Sequence, residues 1–194
     1  NPARTASRLA GLPESIPAIT INDVCGSGLS SVNLGASLIM SGQAEVVLVG
    51  GMESMSNAPY LLDKARVGYK MGDGILIDSM LKDSLIDSIG NYHMGMTAEN
   101  ISSKYSITRG EMDKYAVESH QKATYTTEYG GFKKEIVDII VDNRKGRNLI
   151  VTDENIRSDT SIEKLAKLKS AFKESGVVTA GNSSSINDGA SIPV

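Results

Sequence analysis

The chain has 194 residues, 40% of them hydrophobic, with 20 Lys and Arg against 23 Asp and Glu for a formal net charge of -3. That is enough apolar material for one sizeable domain, or a domain with a large excursion, and the charge balance gives no electrostatic case for nucleic acid or an anionic membrane as partner. One cysteine excludes an intrachain disulfide framework and a cysteine-rich zinc site, and no apolar run reaches the ~18 residues of a membrane span. With no apolar leader segment either, the expected setting is the reducing interior of a cell: the cytoplasm, or an organelle such as the mitochondrial matrix.

In chain order, Asn1 can cap a helix whose first position is Pro2 and which runs through Ala3 to Ala10, stopped by Gly11 and Pro13. Ala18 to Val24 predicts a strand, and Leu29 to Met40 a helix rich in small residues ending near Gly42. Glu45 to Gly51 contains Val46-Val47-Leu48-Val49, a branched run suited to a strand buried on both faces. These three make a strand-helix-strand unit with a parallel sheet and right-handed crossover. Sites in such sheets lie at the C-terminal strand edge, where Cys25 falls.

From Gly51 to about Gly90 the chain turns to methionines, glycines and scattered charges, a loop with short helices. The methionines fit an adaptable contact surface and ordinary core filling equally well. Thr97 opens a further helix, and Thr108-Arg109-Gly110-Glu111 is a capping box before a helix reaching about Ala123. Ile136 to Val141 predicts a strand and Ile162 to Leu168 a short basic helix. Val177 to Gly181 is extended and leads into a polar loop from Asn182 to Gly189. There is no repeat and no low-complexity linker.

Cys25 sits where an apolar run breaks into Gly26-Ser27-Gly28 and a helix begins. Exposed N–H groups and the positive end of a helix dipole favour a thiolate at such a place, although a free cysteine is also commonly a small buried hydrophobe. The glycines favour access to the sulfur. A hydrolase-type elbow would need a glycine two positions earlier, where Asp23 stands, so that pattern fails. His93 before a helix reads as a hydrogen-bonded structural residue, and a helix C-terminal dipole suffices to explain His120, which is assigned no catalysis. Lys164, Lys167, Lys169 and Lys173 around Phe172, with Arg157 upstream, are either a solvated face or a site for an anionic, partly flat ligand such as coenzyme A.

Four segments, taken together, resemble the thiolases, and among them the acetoacetyl-CoA thiolases, which are acetyl-CoA acetyltransferases. Asn22-Asp23-Val24-Cys25-Gly26-Ser27-Gly28-Leu29 is similar to the nucleophile motif and Gly50-Gly51-Met52-Glu53-Ser54-Met55-Ser56-Asn57 to the strand and loop after it. The stretches 91–100 and 179–190 match two more motifs in the same order, and the His93-Met94-Gly95 form points to a short acyl substrate. The resemblance implies the N-terminal half of a layered αβαβα fold of the α/β class. Residues 1–50 would belong to the thiolase N-terminal domain, 51–180 to an inserted loop domain that holds coenzyme A, and 181–194 to a return to the first domain.

By the same resemblance Cys25 is the catalytic nucleophile, and Leu85, His93, Met94, Arg157, Phe172, Ala180, Gly181 and Ser184 contact coenzyme A. His93 is expected toward the pantetheine and thioester end, Arg157 and Phe172 toward the nucleotide end, with the neighbouring lysines as a cationic rim. No metal and no cofactor is required, the coenzyme A thioester being substrate, and the family implies a homo-oligomer, dimer or tetramer. The implied partners are acetyl-CoA and acetoacetyl-CoA, with neither nucleic acid nor membrane.

The family's general-base histidine and second cysteine come from motifs that this sequence does not contain. With Asn1-Pro2 at one end and Pro193-Val194 at the other, the chain is expected to be a piece of a longer protein and inactive alone. The alternative is a non-catalytic coenzyme A binding or assembly module. A condensing enzyme of the same superfamily is disfavoured because its cysteine lies in a different context.

Overall fold

The computed structural model describes residues 1–143 and 146–192. It divides into two compact units, one of residues 1–80 and 186–194, the other of residues 81–185. The sequence reading placed its divisions at 50/51 and 180/181, and Val194, with Pro193, lies outside the described residues.

In the first unit, α1 (Pro2–Leu9) starts as its sequence dictates: the Asn1 side chain accepts the Arg4 N–H at 3.1 Å and proline occupies the first turn. The Arg4 guanidinium donates to the carbonyls of Ile16 and Glu14, tying the helix to the extended segment that follows. That segment, expected as a strand over 18–24, forms no ladder beyond a single parallel bridge between Asp23 and Cys25. α2 (Ser27–Met40) follows, two residues longer at its start than predicted. Its buried Gly35 lets the helix lie against the 45–50 run, where a Cβ would fall 2.7 Å from the Val49 Cγ1.

That run alternates: Val47 and Val49 are half-buried while Val46 and Leu48 are exposed. The expectation of a strand covered on both faces, and of a parallel strand-helix-strand sheet, is therefore corrected. A branched run marks a chain suited to a ladder, but a ladder also needs a neighbour, and among the described residues α2 covers one face and no strand pairs along the edge. Pairing begins with β1 (Gly51–Ser54). Its antiparallel partner is β6 (Asp188–Ser191), in the register Gly51 to Ser191 through Ser54 to Asp188. The polar loop expected over 182–189 covers the first half of β6, because pairing through main-chain groups leaves no apolar signature on an exposed edge. A 3-10 turn (Met55–Asn57) and a short hairpin of β2 (Tyr60–Leu61) and β3 (Ile77–Asp78) complete the unit.

The second unit opens with a π-helical turn (Leu81–Leu85) and a bridge between Ile86 and His93. α3 (Met94–Tyr105) begins three residues before the expected Thr97, because His93 caps it. α4 (Arg109–Glu128) has the predicted capping box and outruns the expected end at Ala123, and near its end the Thr126 and Thr127 hydroxyls donate to the carbonyls of Lys122 and Ala123. β4 (Ile139–Asn143) and β5 (Gly146–Ile150) form an antiparallel hairpin, starting three residues later than read.

α5 (Ile162–Leu165) is shorter than the predicted 162–168. The expected extended piece at 177–181 is one antiparallel bridge between Ser170 and Thr179. This unit holds the core: Val117, Leu165 and Val178 are buried together with Glu99, Ser102, Asp113 and Thr179.

Candidate active site

Cys25 belongs to the first unit and is exposed. It is a central residue of a tight turn closed by the Gly26 N–H donating to the Asp23 carbonyl at 2.9 Å, one residue before the Gly26 cap of α2. The turn holds Val24 at φ +46°. A β-branched residue in the left-handed region costs about 1–3 kcal/mol and persists only where the surroundings over-determine it.

Here they do. The Asn22 side chain accepts the Val24 N–H at 3.1 Å, and the Ser27 hydroxyl accepts the Asp23 N–H at 2.9 Å while donating to the Val24 carbonyl at 2.6 Å. Ser30 donates to the Asp23 carboxylate at 2.8 Å. Behind the turn, α2 meets the start of β1 backbone to backbone. A Cβ on Gly51 would lie 3.5 Å from the Gly28 Cα, and the Ser31 hydroxyl donates to the Gly28 carbonyl at 2.6 Å while accepting the Gly50 N–H at 3.2 Å. The motif's serines and glycines thus build a rigid, strained platform that presents an accessible sulfur.

The other eight candidate residues all lie in the second unit. Leu85 ends the π-helical turn, half-buried, and the next residue bridges to His93. His93 caps α3, its Nδ1 accepting the Gly95 N–H at 3.0 Å, so that in the neutral ring the proton sits on Nε2. Met94, the first residue of α3, is exposed. The Phe172 ring stacks on His93 with centroids 4.7 Å apart and planes at 21°. Sequence reasoning expected these two toward opposite ends of a long ligand, and the fold stacks their rings against each other.

Phe172 is also linked to the 177–184 loop, because the Ala171 N–H donates to the Val178 carbonyl at 2.9 Å. Ala180 and Ser184 are exposed on that loop, and Gly181 packs so closely on Leu165 and Leu168 that a Cβ would meet both within 2.6 Å.

Arg157 is exposed, and its backbone N–H donates to His120 Nδ1 at 3.2 Å. His120 was explained by the helix dipole alone; its observed part is to anchor the segment that carries Arg157. Lys164 pairs with Asp159 at 2.6 Å, and that bond, followed by the lysine's charge, holds the Asp159 carboxyl below its ordinary range. One lysine of the expected cationic rim is therefore already occupied. Among the described residues no group of three or more His, Cys, Asp or Glu could hold a metal, and no helix is long and apolar enough to cross a membrane.

Sequence reasoning assigned no role to four polar residues behind the loop, the buried Glu99 and Asp113 and the half-buried Arg109 and Asn182. Glu99, Arg109 and Asn182 lie in stretches the sequence singled out, but the bonds from Glu99 to Val177 and Val178 and between Asp113 and Asn182 join residues far apart in sequence.

The profile of the family described as "Thiolase, N-terminal domain" matches residues 1–194. Among curated proteins, the chain is 50% identical over 193 residues to a probable acetyl-CoA acyltransferase of Staphylococcus aureus (strain COL), covering 99% of this chain and 49% of that one. It is 53% identical over 191 residues to an acetyl-CoA acetyltransferase of Pseudomonas aeruginosa, covering 98% and 49%. The chain spans about half the length of the curated relatives it matches. Among solved structures, it is similar to an acetyl-CoA acetyltransferase from Syntrophomonas wolfei at TM-score 0.92 and 44% identity, over 98% of this chain and 48% of the other. Human mitochondrial 3-ketoacyl-CoA thiolase matches at TM-score 0.92 and 43% identity, over 98% and 48%.

Proposed function

The chain belongs to the thiolase family, as an α/β thiolase N-terminal domain, and we propose that it carries the acyl-accepting half of an acetyl-CoA acetyltransferase with Cys25 as nucleophile. In this reading the Cys25 thiolate attacks the thioester carbonyl carbon. A new carbon–sulfur bond forms, the bond to coenzyme A breaks, and the coenzyme A thiolate leaves with the electron pair. Covalent catalysis by a thiolate splits one difficult acyl exchange into two easier steps. The acetyl group then passes back to coenzyme A, or to the α-carbon of a second acetyl-CoA to give acetoacetyl-CoA and free Cys25.

Leu85, His93, Met94 and Phe172 line the pantetheine, with His93 Nε2 as donor. Ala180, Gly181 and Ser184 flank it, and Arg157 meets the nucleotide phosphates. The histidine and second cysteine that move protons in the family are not supplied by this chain, so turnover is assigned to the longer protein, as is assembly into a dimer or tetramer. No metal or prosthetic cofactor enters the scheme.

The single observation behind this reading is the strained, side-chain-braced turn at Val24 that exposes Cys25 at the start of α2. Backbone strain held in place by this many side chains is a mark of a functional turn. Incubating the full-length protein that contains this chain with acetyl-labelled acetyl-CoA, followed by peptide mass spectrometry, tests it. Label is expected on Cys25 and is lost in Cys25→Ser; label on another residue, or an unmodified Cys25, refutes the assignment.

A second reading, a coenzyme A binding or assembly module without turnover, is favoured by one observation: all eight coenzyme A candidates sit in the unit that has its own buried core. Calorimetric binding of coenzyme A with no thiolysis of acetoacetyl-CoA by the full-length protein would select it.

A further inference from the structure

The 177–184 loop carries three of the residues read as coenzyme A contacts, yet it has almost no regular structure, and side chains reach across from the helices to set its shape. Glu99 on α3 accepts the Val177 N–H at 3.1 Å and the Val178 N–H at 2.8 Å, one on each carboxylate oxygen. Within the loop the Asn182 side-chain oxygen accepts the Thr179 N–H at 2.8 Å, and its amide nitrogen donates to the Val177 carbonyl at 3.0 Å. The second proton of that nitrogen goes to Asp113 at 3.0 Å. Every polar position of the Asn182 amide is used, so its orientation is fixed: a flipped amide would set N–H against N–H at Thr179 and oxygen against carboxylate at Asp113.

Asp113 is 3% exposed and divides its two oxygens. One takes Asn182; the other takes the Arg109 Nε–H at 2.7 Å. The rest of the Arg109 guanidinium donates to the carbonyls of Leu165 and Leu168, at and just beyond the end of α5, the Leu165 carbonyl also accepting the Leu168 N–H at 3.0 Å. One buried carboxylate therefore joins α4, the end of α5 and the loop. A buried ion pair is a poor source of net stability compared with well-packed apolar groups. Its distinctive effect here is to fix three main-chain segments in one register.

We propose that Asp113 is a positioning residue for coenzyme A recognition, acting through Asn182 on the loop that bears Ala180, Gly181 and Ser184; this rests on the reading of that loop as a coenzyme A contact. Asp113→Asn keeps the size but offers one acceptor where two are needed, and turns an NH2 toward either Asn182 or Arg109. The loop loses its register while the Cys25 turn, in the other unit, is untouched.

The test uses the full-length protein containing this chain, measuring coenzyme A affinity by calorimetry, thiolysis kinetics, thermal midpoint, and the rate of Cys25 alkylation by iodoacetamide mapped by mass spectrometry. Asp113→Asn is expected to raise Kd and KM together about tenfold or more, the scale of a lost hydrogen bond to a charged group. kcat at saturation and Cys25 alkylation are expected to change less than about twofold, the signature of lost binding rather than lost chemistry.

Equal losses in kcat, KM and alkylation, or a lowered midpoint with KM unchanged, overturn the inference. If Asp113→Asn does not fold, Asn182→Ser, which leaves the Arg109–Asp113 pair intact, decides alone: a raised Kd supports the proposal and an unchanged Kd overturns it. A wild-type protein with no affinity for coenzyme A overturns the reading of the loop itself, and the inference with it.

Discussion

Replacing Gly95 by alanine adds one methyl group at the second position of α3, and the structure specifies where that methyl goes. An ideal Cβ there falls 2.2 Å from the Phe172 Cδ2 and Cγ and 2.4 Å from Cε2. Carbon atoms sit at best about 3.5–4 Å apart, so the ring has to move by more than 1 Å. Moving it separates Phe172 from His93, whose centroids are 4.7 Å apart, and Gly95 itself is buried, with its N–H on the His93 cap.

In an exposed helix the same change would stabilise by about 0.5–1 kcal/mol, because glycine loses more backbone freedom on folding. Against this stand about 1–3 kcal/mol for overpacking and about 0.5–1.5 kcal/mol for the lost ring pair. The clash wins, and Gly95→Ala is expected to destabilise by about 1–3 kcal/mol, read from the urea midpoint by far-ultraviolet circular dichroism. The cause is isolated by a double-mutant cycle: in a Phe172→Ala background the extra methyl meets open space, and Gly95→Ala should cost little or turn favourable. A raised midpoint in the single variant, or an equal cost in both backgrounds, refutes the argument.

Glu99→Gln leaves one acceptor facing the two N–H groups of Val177 and Val178 and points an NH2 at one of them. The expected loss is about 1–3 kcal/mol with faster amide exchange at both valines, and an unshifted urea midpoint would show that the carboxylate does not hold them. Asp188 is held below its ordinary range by the Ser56 hydroxyl, then by the N–H groups of Ser56 and Met55. For a carboxylate whose folded-state pKa is depressed, the stabilisation is present above the unfolded value near 4 and is lost as pH falls through the lower folded value. Thermal midpoints taken downward from about pH 5 should fall less steeply in Ser56→Ala than in wild type, and identical slopes would remove Asp188 from the account.

What could be read in the sequence was what local rules encode. The box at the start of α4 forms as written, the Thr108 N–H donating to Glu111 at 2.7 Å and the Glu111 N–H to the Thr108 hydroxyl at 3.3 Å, because every partner lies within one turn. Cys25 stands, as expected, immediately before a helix that opens at Ser27. Several of the errors depended on a distant partner. The 45–50 run has strand composition but no ladder among the described residues, whereas Asp188–Ser191 has loop composition and pairs with β1. The stacking of Phe172 on His93 is not announced by anything near Phe172 in sequence. Positive φ at Val24 runs against the residue's own preference, so propensity could only have argued against it.

The two places where chemistry is proposed share a construction that bears on how motif residues should be sorted. Both are irregular backbone, and irregular backbone cannot satisfy its N–H and C=O groups through a ladder or a helix. At the Cys25 turn the Asn22 and Ser27 side chains take main-chain groups and Ser30 holds the Asp23 carboxylate; at the 177–184 loop Glu99, Asn182 and Ser183 take main-chain groups, the Ser183 hydroxyl donating to the Thr179 carbonyl at 2.7 Å, while Asp113 holds the Asn182 amide. These polar residues are therefore spent on main chain or on one another. A substitution among them should loosen the geometry of a site while leaving its reacting atom intact, so its signature is a change in binding or in bond-forming efficiency without a change in which atom reacts. Cys25, exposed on its turn, supplies no side-chain atom to this bracing.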